Sequence, residues 1–264
     1  MVAAGAARLA CWAAGDGVPV VLLHAGVADS RMWGGQFDAL AGQARAIAYD
    51  RRGFGRSAAV AGGFAQVDDL FAVLDAEAPG RAAVLVGCSQ GGRIALDAAL
   101  ARPERVAGLV LIGAAVSGAP AVALPPGVER LEAAIAAAGD LDAVNRLEAH
   151  LWLDGPTAPE GRIRGPARAL FLAMNGIALA AEGGGPAASP PSAFDRLERV
   201  GVPTVVGWGS LDCADVIAWN GAIAARVPGA RRVVFPGAAH LPSLEAPGEV
   251  LRMIEGVVRR FAAG

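Results

Sequence analysis

The segment Ala82-Ala83-Val84-Leu85-Val86-Gly87-Cys88-Ser89-Gln90-Gly91-Gly92-Arg93-Ile94-Ala95-Leu96 decides the fold of this 264-residue chain. The apolar run Ala82–Val86 is of the kind that makes a short strand buried on both faces. From Gln90 to Ala101 the apolar positions instead recur near the 3.6-residue period of a helix. Ser89 sits at the junction, with glycine two positions before it and two after. A serine projected from so sharp a turn needs small residues at both places, because side chains there would collide as strand and helix close on each other. With 8 serines and 36 glycines in the chain, chance gives about 0.15 Gly-x-Ser-x-Gly matches. The flanking strand and helix therefore carry the reading together with the pentapeptide.

Outward from this junction the same alternation repeats. Short, β-branched runs at Pro19–Leu23, Arg45–Tyr49, Val106–Ile112, Pro203–Trp208 and Arg231–Phe235 read as strands. Trp33–Gly42, Gln66–Ala78, Ala214–Val227 and Glu249–Ala262 read as helices. Ala7–Ala13 is expected to add an antiparallel edge strand. The pattern predicts an α/β fold, a mostly parallel sheet covered by helices on both faces. Between Ser117 and Asp195 the alternation stops, and helix-like sequence (Val128–Ala138, Leu141–Leu153, Arg162–Ala181) runs on without a strand. This reads as a helical insertion, residues 117–195, dividing a core made of 1–116 and 196–264. Gly118, Pro120, Pro125 and Pro126 bound it on one side and the tract from Gly183 to Pro191 on the other. That tract serves either as a hinge or as a plain linker.

Composition removes several function classes. Hydrophobic residues make up 54% and charged residues 18%, so the chain collapses rather than staying disordered. All 23 residues of the Lys+Arg total are arginine, which rules out a lysine Schiff base and a P-loop lysine. A net charge of -2 with scattered signs gives no footprint for nucleic acid. No apolar run reaches the ~18–20 residues needed to cross a bilayer, and the N-terminus does not fit a secretory signal. Cys11, Cys88 and Cys213 are too few and too far apart for a disulfide framework or a thiolate metal site. A cytoplasmic, reducing location, no metal, no cofactor and a small-molecule partner are expected; the sequence leaves the oligomeric state open.

A serine hydroxyl needs a general base near neutral pH, and histidine is the usual one. His240 follows the last strand, where catalytic groups gather at the C-terminal edge of a parallel sheet. His24 closes an early strand and suits shaping a loop, and His150 lies in the insertion. The base in turn needs a carboxylate. Asp212, just past Pro203–Trp208, is the candidate, with Asp215 its competitor as a first-turn helix acid. Cys88 reads as a small packed residue, because the local sequence offers no basic partner for a thiolate.

The order Ser89, Asp212, His240, with the β/α alternation and the insertion, resembles the α/β-hydrolase fold superfamily, in its capped branch of esterases, lactonases and C–C hydrolases. The resemblance spans nearly the whole chain. His24-Ala25-Gly26 is similar to the family's His-Gly-x oxyanion segment. Tyr49–Ser57 resembles its Asp-x-Arg-Gly-x-Gly-x-Ser loop, which implies a scaffold packed beside the turn rather than an anion site for Arg51, Arg52 and Arg56. Gly237–Pro242 resembles its Gly-x-x-His segment. The resemblance implies Ser89 as nucleophile, His240 as base and Asp212 as acid, with oxyanion donors at the Gln90 N–H and at Gly26. Ala25 stands where the family usually has glycine, which leaves Val27 N–H as the alternative donor. Trp152, Leu153, Phe171, Leu172 and Met174 are expected either to line a substrate pocket or to form the insertion's own core. A small, mostly apolar ester or lactone is the expected substrate. Carbon–carbon hydrolysis, cofactor-free peroxidation, acyl transfer, a lyase or cyclase and a silent binder on the same fold stay open.

Overall fold

The computed structural model describes residues 1–262. Its main sheet has seven strands: β3 (Cys11–Ala14), β4 (Pro19–Leu23), β5 (Arg45–Tyr49), β6 (Ala83–Cys88), β7 (Val106–Ile112), β8 (Thr204–Gly209) and β9 (Arg231–Phe235), in the spatial order β3-β5-β4-β6-β7-β8-β9. All neighbours are parallel except β3 and β5. Every residue of β4 and β6 is buried, and the alternate side chains of β4, β6 and β7 feed two different cores. Val21, Leu23, Leu85, Leu109 and Leu111 join the first cluster. Val20, Leu22, Val84, Val86, Val110 and Ile112 join the second. Each fully buried Val or Leu contributes about 1.5–3 kcal/mol against exposure, so a one-residue slip in register would reverse every side chain of a strand and is strongly disfavoured.

Helices cover both faces. Helices α2 (Gln66–Glu77), α3 (Gln90–Ala101) and α7 (Ala214–Arg226) supply the first cluster through Leu70, Phe71, Leu74, Ile94, Leu96 and Ile223. Helices α1 (Gly34–Ala41) and α8 (Pro247–Ala262) supply the second through Leu40, Val250, Ile254 and Val257. At the outer edge, Arg231 and Arg232 stand exposed on β9, charges of the kind that discourage pairing of an open edge with another chain. No helix among the described residues is long and apolar enough to cross a membrane.

The expected strand Ala7–Ala13 is two pieces. β1 (Val2–Ala4) and β2 (Ala7–Leu9) form a separate antiparallel pair, and only β3 joins the main sheet. The chain breaks at Ala10, whose N–H donates to Ser57 Oγ (2.8 Å) and whose carbonyl accepts Asp50 N–H (2.9 Å). Bonds to the loop around residue 50 thus replace a continuous ladder.

Between β7 and β8 lie α4 (Pro126–Ala137), α5 (Leu141–Glu148), a π-helical turn (Ala149–Asp154) and α6 (Pro166–Leu179). Proline opens α4 and α6, where its missing N–H costs nothing. Asp140 caps α5 by accepting Ala143 N–H at 2.7 Å. Asp154 has no exposed surface; it accepts Gly161 N–H, Ile163 N–H and Arg168 Nη1 at 2.8–2.9 Å, which folds the connection to α6. At the base of the insertion Ser117 Oγ donates to Asp97 Oδ1 (2.7 Å) and accepts Ala193 N–H (3.0 Å), so α3 clips the outgoing and returning chains together.

The sheet order places a switch point at β4 and β6. From β4 the chain goes to β5 on one side, then crosses to β6 on the other and continues outward. In open α/β sheets ligands bind at the carboxyl ends of such strands, and here those ends are His24 and Ser89.

Candidate active site

Ser89 lies between β6 and α3 with φ 53° and ψ −118°, the one non-glycine residue with positive φ among the described residues. Such a conformation costs on the order of 1–3 kcal/mol and persists only where its surroundings enforce it. They do. A Cβ on Gly87 would fall 2.5 Å from Gly92 N, and one on Gly91 would fall 2.6 Å from the Leu23 carbonyl carbon and 2.7 Å from His24 O. Only glycine at both positions lets β6, β4 and α3 approach this closely. Ser89 N–H donates to Ile112 O (2.9 Å), and Ser89 O accepts Arg93 N–H (3.0 Å) and Ala115 N–H (3.1 Å), which pins the turn to the end of β7. The serine itself stays partly exposed.

His240 is reached by the loop after β9, Asp212 by the loop after β8. His240 Nδ1 lies 2.9 and 3.0 Å from the two Asp212 carboxylate oxygens, and both residues are buried. Asp212 Oδ1 also accepts Cys213 N–H at 2.7 Å. A carboxylate on Nδ1 assigns the ring proton there and leaves Nε2 as the basic nitrogen. Asp215 does not reach the ring: its carboxylate accepts Val216 N–H in the first turn of α7. Gly113 joins the pair to the serine turn. It follows Ile112, the acceptor of Ser89 N–H, and a Cβ on it would lie 3.1 Å from Asp212 Oδ2 and 3.2 Å from His240 Nδ1. Cys88 Sγ lies 3.6 Å from His240 O, in position to donate to it. Ser89 Oγ makes no hydrogen bond to His240 among the described residues; such contacts are often loose without substrate and tighten around it.

Gln90 opens α3, so its N–H is one of the first-turn donors without an intrahelical acceptor, at the positive end of the helix dipole. Across from it, Gly26 lies against the Gln90 side chain, its Cβ position 3.8 Å from Oε1. In that loop Ala25 N–H is directed at Met32 Sδ and Ala28 N–H at Ala25 O. Gly26 and Val27 are both partly exposed, and their N–H groups have no partner among the described residues.

Trp152, in the π-helical turn, is partly exposed, and its ring lies 4.7 Å from that of His240. Its carbonyl accepts His240 N–H (3.2 Å). Leu153, Phe171 and Met174 have no exposed surface. They pack with Met32, Trp33 and Leu241 in the second cluster and form the seam between insertion and core rather than an open pocket wall. Leu172 remains partly exposed. A cavity of about 400 Å³ lies elsewhere, between Trp12, Phe37, Asp50 and Ile177.

The remaining candidates take structural places. His24 has no exposed surface, and burial, then the neighbouring Arg51, holds its pKa well below the ordinary 6.5. His150 Nε2 is 3.0 Å from Ala158 O inside the insertion. Burial, reinforced by Asp212, pushes the Cys88 thiol up, which opposes the thiolate a cysteine nucleophile needs. Arg52 pairs with Asp69, two contacts of 2.7 Å. Among the described residues no three His, Cys, Asp or Glu side chains stand together to hold a metal ion.

One group is missed by the sequence reading, and a second is read there only as scaffold. Arg162, in the insertion, donates to Leu153 O, Asp154 O, Gly237 O and Glu245 Oε2 at 2.6–2.9 Å. Glu245 Oε1 in turn accepts Ala239 N–H (2.8 Å), so the insertion is fastened to the loop that carries His240. Arg51 is the other, and lies beside His24 and Gln90.

Comparison with known proteins shows the family of the chain. The model of the alpha/beta hydrolase family matches residues 20–253. The esterase RhEst1 from Rhodococcus sp. ECU1013 superposes with a TM-score of 0.79 at 27% identity, covering 98% of both chains. Est816, described as an N-acyl homoserine lactone degrading enzyme, superposes with a TM-score of 0.76 at 29% identity, covering 97% of this chain and 98% of its own. A Variovorax paradoxus (strain S110) protein that carries the name of a carbamate hydrolase, RutD, is 48% identical over 101 residues, 36% of this chain and 37% of that protein. The curated relatives are thus matched over little more than a third of their length. With a matching model over most of its length and esterase structures superposing on nearly all of it, the chain belongs to the alpha/beta hydrolase family.

Proposed function

We propose that this protein hydrolyses small, mostly apolar carboxylic esters or lactones through an acyl-enzyme on Ser89. The single observation that carries the reading is Ser89 at positive φ on the turn between β6 and α3, with the buried His240–Asp212 pair against its neighbours Cys88 and Gly113. Ser89 Oγ attacks the substrate carbonyl while His240 Nε2 takes its proton. Asp212 holds the imidazole in the productive tautomer and stabilises the imidazolium. The developing oxyanion is met by Gln90 N–H and by Gly26 or Val27 N–H, donors fixed before the charge appears, so no reorganisation is needed at the moment of reaction. Collapse of the intermediate expels the alcohol, which takes its proton from His240. Water, deprotonated by the same nitrogen, then releases the acid and restores the serine.

The roof of the site supports this substrate class. Trp152 offers an aromatic surface beside His240, while Leu153, Phe171 and Met174 stiffen the wall behind it. The insertion acts as a cap fastened by Arg162 to the His240 loop, which favours a compact acyl group over a long polymer. Similarity to an esterase and to a lactone-degrading enzyme supports the ester or lactone bond.

The test is a panel of esters of graded acyl length, lactones and diketones, scored by turnover and by the mass of Ser89-containing peptides. Turnover of a short ester or lactone with an acyl adduct on Ser89, both lost in Ser89→Ala, is the expected result. Turnover that survives in Ser89→Ala, or cleavage of diketones alone, would overturn the reading.

A further inference from the structure

Arg51 is 4% exposed and has no carboxylate partner among the described residues. The nearest acid in sequence is committed elsewhere: Asp50 accepts Ser30 N–H (2.9 Å) and Arg56 N–H (2.8 Å). One arm of the Arg51 guanidinium, Nη2, donates to Ala25 O at 3.0 Å, and the other, Nη1, donates to Gln90 Oε1. The group packs on the Phe54 ring, 4.3 Å from its centroid, and its buried Nε–H has no acceptor among the described residues. His24 completes the cluster. Arg51 N–H donates to His24 Nε2 (3.0 Å), which makes that nitrogen the acceptor and puts the ring proton on Nδ1, from which it is donated to Ala25 O (2.8 Å).

Ala25 O and Gly26 N–H belong to one peptide group. In a trans peptide the N–H points opposite to the carbonyl, and no cis peptide occurs in this chain among the described residues. Donors that grip Ala25 O therefore aim Gly26 N–H, and a charged donor polarises it as well. We infer that Arg51 is a positioning residue that ties together the two halves of the oxyanion hole, aiming the Gly26 N–H through Ala25 O and holding α3 at Gln90, while its uncompensated positive charge favours the oxyanion. The inference rests on the hydrolase reading above and deepens it. It selects Gly26 over Val27 as the second donor and gives neutral His24 a share in holding the same peptide. Burial lowers the Arg51 pKa to about 10, which keeps the side chain cationic at neutral pH.

The experiment uses Arg51→Met, Arg51→Lys and Gln90→Met in the full chain. Readouts are kcat and KM for a responsive ester, the inhibition constant of an alkylboronic acid that forms a tetrahedral anion on Ser89, and the thermal midpoint. Arg51→Met is expected to lose about 10- to 100-fold in kcat with KM changed less than about threefold, the loss expected when donors in the transition state are misplaced. Boronate affinity falls by the same factor. Arg51→Lys keeps the charge but not the two-armed reach, and regains only part. Gln90→Met costs less on top of Arg51→Met than alone, because the two act as one clamp. A folded Arg51→Met with kcat and boronate affinity within about threefold of wild type, or with only its thermal midpoint lowered, overturns the inference. Should Arg51→Met not fold, an Arg51→Lys protein with unchanged kcat and boronate affinity overturns it equally. These outcomes leave the hydrolase reading intact, whereas a wild-type protein that neither cleaves esters nor binds boronate brings both down.

Discussion

His24 gives a prediction that reaches through stability rather than activity. The ring has no exposed surface and serves as acceptor at Nε2 and donor at Nδ1. A second ring proton would displace the Arg51 N–H bond and place a positive charge beside the Arg51 guanidinium. Its pKa in the folded protein is therefore well below the ordinary 6.5. The folded state binds fewer protons at this site than the unfolded chain, so its stabilising contribution is complete above pH 6.5. It is lost as pH falls below 6.5 toward the folded-state pKa. Each pH unit in that window removes about 1.4 kcal/mol. The comparison is wild type against His24→Gln by urea unfolding at pH 7.5 and pH 5.5. Other titrations, the buried carboxylates included, cancel in the difference. At pH 7.5 the variant should be less stable by about 1–3 kcal/mol for the lost buried hydrogen bonds. At pH 5.5 the gap should narrow by about 1.4 kcal/mol, because glutamine has no proton to exclude. A gap that stays constant within about 0.3 kcal/mol between the two pH values would refute a neutral, buried His24.

Gly91→Ala should cost about 3 kcal/mol or more, since the new Cβ meets the Leu23 and His24 backbone within 2.7 Å and strand and helix must part; unchanged thermal stability would contradict the turn geometry. Asp212→Asn should lower kcat by on the order of 10³–10⁴-fold by disturbing the imidazole tautomer, while Asp215→Asn stays within about threefold of wild type; steady-state kinetics of both variants decide it, and equal losses would refute the choice of carboxylate.

The main sheet was legible because its middle strands are apolar on both faces. Arg45–Tyr49 and Val106–Ile112 carry in sequence the boundaries the structure has, and Ala82–Val86 differs from its strand by no more than two residues. The Ser89 turn was legible for a local reason, since the steric demand falls on residues 87 and 91 alone. Features that depend on distant contacts were not. The break at Ala10 is set by Ser57 and Asp50, and β1 is too short to carry a period. Leu141–Leu153 reads as one helix, yet the chain widens into a π-helical turn at Ala149, where the Trp152 ring lies tilted against that of His240. The proposed substrate wall is half legible in the sequence. Apolar residues at helical spacing look alike whether they face a pocket or a seam, and only burial separates Trp152 from Leu153 and Phe171. Arg51 and Arg162 carry meaning only through partners far away in sequence, at residues 25 and 90 and at residues 237 and 245.

Peptide mapping by mass spectrometry after brief exposure of the native protein to a fluorophosphonate tests the assignment of the nucleophile most directly. A single phosphonyl adduct on Ser89, absent in Ser89→Ala and strongly slowed in His240→Ala, is the predicted result. An unlabelled native protein, or a label that persists when Ser89 is replaced by alanine, would contradict it.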